Sequence, residues 1–242
     1  MNRLQDLAET LPLNLEDNAE YPNLEFVILD YNSKDGLGEW LKENFSSYIQ
    51  SGRIAYYRTE EPEFFSMTHS RNIAFKVASG TIVNNLDADN YTYDYWNEPT
   101  RPKLCWAEWI NMAANICPEK AVFLKSKNFM HGRIGFYKKE FIELLGGYDE
   151  QLTGYGEDDL DLLRRAQGLN FHLCRWHDFY TDRIKTLIDA KNTNLKEKHT
   201  ITRLRNQAQS LANVNAGIFK ANEGIVWGKA RLIKNFSKEV LV

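Results

Sequence analysis

Residues 81–90 read TIVNNLDADN, and the rest of the chain is best understood outward from them. Ile82, Val83 and Leu86 form a short apolar run that predicts a β-strand, and the run stops at two carboxylates one residue apart, Asp87 and Asp89. Such acids would sit where a buried strand reaches the surface, the usual ligand position in an open α/β sheet. Alternate side chains of an extended segment point the same way, so Asp87 and Asp89 are expected to share one target. Two like charges that close disfavour each other unless a cation lies between them. Oxygen ligands point to a hard divalent ion, Mg²⁺ or Mn²⁺, shared with a substrate's phosphates. An acidic strand-to-loop turn without any ligand accounts for the same residues, since Asp and Asn are common turn formers.

Upstream, Leu4, Leu7, Ala8 and Leu11 stand at helical spacing, and Pro12 is expected to end that helix. Residues 24–29, LEFVIL, are a nearly continuous apolar run, as expected for a strand covered on both faces. The polar turn DYNSKDG follows at 30–36, and Trp40, Leu41 and Phe45 then resume a helical period. Residues 53–57 (RIAYY) predict the next strand and 68–79 the next helix, with Gly80 placed for a left-handed cap. Strand alternating with helix implies a mainly parallel sheet with right-handed crossovers.

Downstream, residues 91–102, YTYDYWNEPTRP, form an aromatic loop that either lines a pocket or packs on the domain. Residues 104–116 predict a helix, 121–125 and 133–137 strands, and 138–145 a short helix ending at Gly146-Gly147. A second acidic cluster follows, in which Gly154 and Gly156 flank Tyr155 and Glu157-Asp158-Asp159 open a helix. The helix dipole favours carboxylates in a first turn, yet three acids exceed what capping requires. Residues 171–176 predict a further strand, followed at once by His177.

The net charge of −3 over 242 residues argues against a nucleic-acid partner. From Arg183 onward Lys and Arg outnumber Asp and Glu. That region reads as a solvated basic helix face, with contact to phosphates or an anionic membrane as the other reading. Its helices are expected near 196–211. No apolar run approaches membrane-spanning length and the N-terminus lacks a signal-peptide core, so a cytoplasmic location is expected, with the inner face of the membrane as a variant. Cys105, Cys117 and Cys174 lack metal-site spacing and read as reduced thiols.

With these residues in view, the sequence resembles the family 2 type of GT-A-fold glycosyltransferases. Four segments carry the resemblance in order: FVILDYNSKDG, HSRNIAFKVASGTIVNNLDADN, GRIGFYKKEFIELLGGYDE and GYGEDDLDLLRRAQGL. The last two are also similar to the carboxyl-terminal half of beta-1,4-galactosyltransferase-type enzymes. The resemblance implies an α/β, Rossmann-like GT-A domain over residues 1–182, with 183–242 a basic, mainly helical extension packed on it. It implies a nucleoside-diphosphate-sugar donor, UDP-linked in most related enzymes, a glycan or other hydroxyl acceptor, and Mn²⁺ or Mg²⁺ as cofactor. Asp30, Arg71, Asp87 and Arg3 would hold the nucleotide. Asp89 and Asp87 would ligate the metal, with His177 the first choice for a third ligand and His199 the second. Asp158 would be the catalytic base and Glu157 would orient hydroxyls, with inversion at the anomeric carbon. The resemblance departs at the start, where Met1-Asn2-Arg3 looks like the residues just after the family's usual first strand, so the sheet is expected to lack that strand. A non-catalytic nucleotide-sugar-binding protein, a nucleotidyltransferase and, more remotely, an Asp-x-Asp phosphatase are the alternatives.

Overall fold

A computed structural model of the chain describes residues 1–92, 105–125, 134–176, 183–184 and 194–242. The apolar run after residue 24 forms β1 (Phe26–Tyr31), which pairs in parallel with β2 (Ile54–Thr59), Phe26 opposite Ile54. Helices α2 (Leu37–Asn44) and α3 (Ser46–Gln50) make the crossover between them. Helix α4 (Met67–Val77), capped by Ser66, leads into β3 (Ile82–Asn84). It ends at Ala78 without a left-handed residue, and Gly80 keeps an ordinary negative φ, contrary to the expected cap.

Helix α5 (Trp106–Ile116), β4 (Ala121–Lys125), β5 (Ile134–Tyr137) and α6 (Lys138–Glu143) come next. Helix α7 (Asp158–Gly168), β6 (His172–Trp176) and α8 (His199–Asn215) follow. The strands make two four-stranded sheets, ordered β1-β2-β7-β8 and β3-β5-β4-β6, where β7 is Arg231–Lys234 and β8 is Lys238–Leu241. The α/β class holds, but the sheets are mixed. Only β1–β2 and β4–β6 are parallel, because β5 returns antiparallel between β3 and β4 and the β7–β8 hairpin closes on the outer edge of β2.

That hairpin corrects the expectation of a mainly helical C-terminal region. Its turn runs through Asn235 and Phe236, both at positive φ. The cost of a left-handed phenylalanine is offset locally, since the Phe236 ring stacks on Tyr56 at 4.6 Å and Asn235 Oδ1 accepts from the Tyr56 amide.

Helix α1 (Leu4–Asp17) runs straight through Pro12. The hydrogen bond that proline cannot make falls on the exposed side, while Leu11 before it and Leu15 beyond it pack with Leu41, Ile54 and Tyr56. The larger core joins Phe75, Val83, Val122, Phe136, Phe141, Tyr148 and Leu162, tying α4, α6 and α7 to the second sheet. β1 and β3 each stand at an edge of their sheet, and among the described residues no strand lies between them. A cleft of about 790 Å³ separates them, lined by Val27, Ile28 and Leu29 on one strand and Ile82, Val83 and Asn84 on the other. Among the described residues the floor of the fold is thus open between the two sheets. No described helix is long and apolar enough to cross a membrane.

Candidate active site

Strand β3 is only three residues long, so Asp87 and Asp89 lie on a turn beyond it, closed by the Asn90 amide donating to the Asp87 carbonyl. They do not project side by side from an extended strand. Asp87 Oδ1 accepts from Arg71 Nη2 at 3.0 Å and from Asn85 Nδ2, whereas Asp89 Oδ2 accepts from Arg3 Nη2 at 3.0 Å. Each acid faces its own guanidinium. Arg3, Arg71, Asp87 and Asp89 all line the cleft. Helix α1 braces this turn from below: Thr10 Oγ1 donates to the Ala88 carbonyl, and Asn14 bonds both the Asn90 carbonyl and the Thr92 amide.

Arg71, buried on α4, is the joint of the site. Besides Asp87, it donates to Asp158 and, at 2.7 Å, to Asp159, both in the first turn of α7. Asp87 and the acids of α7, about seventy positions apart, are thus held by one cation. The Tyr148 ring lies 5.4 Å from that guanidinium, and its hydroxyl donates to Asp159 at 3.1 Å. Three carboxylates around one buried guanidinium leave excess negative charge. Burial is the largest influence on both acids of α7: it raises Asp158 above the usual carboxylate range and pushes Asp159 up to about 7, with Arg71 opposing it. Arg71 Nε is buried and has no hydrogen-bond partner among the described residues.

The other expected residues fall as follows. Asp30 is fully buried, its carboxylate accepting from the Ser33 amide, the Tyr56 hydroxyl and Arg58, so in this conformation it fixes the turn after β1. Glu157 precedes α7 at φ 70°, and its carboxylate meets Arg164 of α7 and Arg203 of α8. It is not brought into the Arg71 cluster. Tyr155 lines the cleft, and its ring meets His199 edge to face at 6.1 Å. His177 lies outside the described residues, as does all of the aromatic loop after Thr92 up to 104. His172 starts β6, within a strand as expected.

Several residues that build the site carry roles not read from the sequence, and of these Asn72, Arg165 and Gly146 sit in the quoted segments while Asn206 lies beyond them. Asn72 exchanges two hydrogen bonds with the Tyr148 backbone, at 2.9 and 2.8 Å, which joins the HSRN helix to the GGYDE turn and aims the Tyr148 ring. Arg165, paired with Asp161, donates to the carbonyls of Leu145 and Gly147 and ties α7 to the same turn. Gly146 cannot be replaced there: it has φ 66°, and a Cβ would lie 2.1 Å from the Ala221 carbonyl oxygen. Asn206 of α8 holds the carbonyls of Thr153 and Gly156.

Fold and sequence together define the class: the chain is a glycosyltransferase with the GT-A fold. It belongs to glycosyl transferase family 2, whose model matches residues 1–140, more than half of the sequence. A second model, described as the N-terminal domain of galactosyltransferase, matches residues 115–188. Among solved structures, the catalytic domain of Drosophila beta1,4galactosyltransferase 7 in complex with xylobiose is similar at 12% identity and a TM-score of 0.45, over 78% of this chain and 79% of that one. No curated protein matches.

Proposed function

We propose that the chain moves a sugar from a UDP-linked donor to an acceptor hydroxyl, with inversion at the anomeric carbon and with Mn²⁺ or Mg²⁺ at Asp87 and Asp89. The supporting observation is the Arg71 network, which joins Asp87 and the acids opening α7 in one hydrogen-bonded cluster beside the cleft. The donor set fits a hard ion: Mg²⁺-type sites take one or two carboxylates and draw the remaining oxygens from phosphates and water. No three His, Cys, Asp or Glu converge on one point among the described residues, so the donor's diphosphate, with His177 as the proposed third protein ligand, would complete the shell. When bound, the ion supplies Lewis-acid stabilisation of the charge that grows on the leaving diphosphate.

The chain's own residues do the rest. Arg3 and Arg71 present guanidinium groups to the diphosphate, and the buried Arg71 Nε–H has no acceptor among the described residues. Asp158 takes the proton of the attacking hydroxyl, and its raised affinity for a proton makes it a stronger base than an exposed carboxylate. Glu157, held by Arg164 and Arg203, positions the turn that presents Asp158. Asp30 acts through the 30–36 turn, whose Ser33 lines the cleft. Residues 1–182 carry this machinery and 183–242 buttress it. The test is donor hydrolysis across UDP-, GDP- and CMP-sugars with and without Mn²⁺. Turnover of UDP-sugars that depends on Mn²⁺ is expected; turnover undiminished in excess chelator contradicts the metal assignment, and turnover confined to another nucleotide contradicts the donor.

A further inference from the structure

Helix α8 is built inside out. Its buried residues are Thr202, Asn206 and Ser210, all polar, while Ile201, Leu204 and Leu211 are exposed, Leu204 at 69%. At about 100° per residue, Ile201, Leu204, Ala208 and Leu211 share an arc of about 80°, nearly opposite the buried polar residues. Ile218, just past the helix, is also exposed. The inward polar face is accounted for by its bonds to residues 153–156 and to Arg164. Nothing in the packing of the described residues accounts for the outward apolar one.

The charge beside this row is mainly positive, with Arg203 paired to the buried Glu157 and Arg205 to Glu197. Arg203 lies on one flank, and Arg205 and Lys198 lie on the other, all exposed. Residues 194–220 contain five Lys and Arg (196, 198, 203, 205, 220) against the single acid Glu197, in a chain whose net charge is −3. We infer that the Ile201–Leu204–Leu211 face of α8 docks on an anionic membrane surface, the apolar row entering the interface and the flanking cations meeting lipid phosphates. A second copy of the chain fits less well. One short apolar row falls below the roughly 800 Å² per partner that a stable interface buries, and α8 offers no acid to face the arginines of a copy. The opposite face of α8 holds the glycine loop, so the docked surface would lie about one helix diameter, roughly 10 Å, from residues 153–156. The inference stands apart from the sugar-transfer reading, because binding is measured without donor or acceptor.

The experiment is co-sedimentation of the full chain with phosphatidylcholine vesicles, with and without phosphatidylglycerol, at low and physiological salt. Binding is expected only with phosphatidylglycerol and should weaken as salt rises. The I201S/L204S variant should bind about tenfold more weakly, and K196E/K198E by a similar factor, with unchanged circular dichroism and melting. These positions are exposed, so folding is not at risk. Equal binding to neutral vesicles, or undiminished binding by both variants, overturns the inference. So does a dimer in sedimentation velocity that I201S/L204S disperses, because the row would then belong to a second copy.

Discussion

Arg71 balances three carboxylates, and that imbalance sets how the site should respond to pH. Asp158 and Asp159 lie side by side at the start of α7, and burial raises both, Asp159 to about 7. Below that value the pair holds a proton that the base must lose before it can accept one from the acceptor. The kcat/KM for transfer should therefore rise with pH and level off above about 7. In D159N a neighbouring negative charge is gone and Arg71 serves fewer acids, so Asp158 ionises more readily and the acid limb moves to lower pH. A limb that stays in place or moves upward would mean that the two carboxyls do not titrate together. At this scale the sequence singled out Arg71, Asp87 and Asp158 through their order in the four segments, and the fold brings these three into one hydrogen-bonded cluster. It could not show that Asp87 and Asp89 face different guanidiniums. The chain direction at 85–90 is set by Thr10 and Asn14, whose bonds to it span 76 to 78 positions.

Among the elements, those that bury an apolar stripe were readable: β1, β2, α2, α4, α7 and β6 all fall where periodicity puts them. The misreadings share a cause, which is tertiary contact overriding local preference. Pro12 reads as a stop, yet Leu11 and Leu15 are anchored on both sides of it. The β7–β8 hairpin is two four-residue strands, RLIK and KEVL, whose charges hide the alternation. Helix α8 buries polar residues because its task is to hold backbone carbonyls. That task gives a test: N206A leaves the Thr153 and Gly156 carbonyls without their donor and should lower unfolding free energy by about 1–3 kcal/mol. It should also reduce kcat/KM, because the turn before Asp158 loses its brace, while UDP affinity holds. Denaturant melts that superimpose on the parent would show that α8 does not anchor the loop.

Across the whole molecule, two four-stranded sheets face each other over a cleft, with the acidic turn after β3 beside it and the α7 acids joined to that turn through Arg71. β1 and β3, at the edges of the two sheets, bound the cleft. The site nevertheless stays together, because α4 contributes both Arg71 and Asn72: the first bridges the acids, and the second fixes the Tyr148 that covers the bridge. The proposed reaction has Asp158 acting as base beside a donor held by Arg71, Asp87 and Asp89. It is tested most directly by measuring UDP binding and sugar transfer in the same D158N protein. UDP affinity within a few-fold of the parent is expected, with transfer reduced by about 10²-fold or more. Transfer that survives in D158N at the parental rate would contradict it.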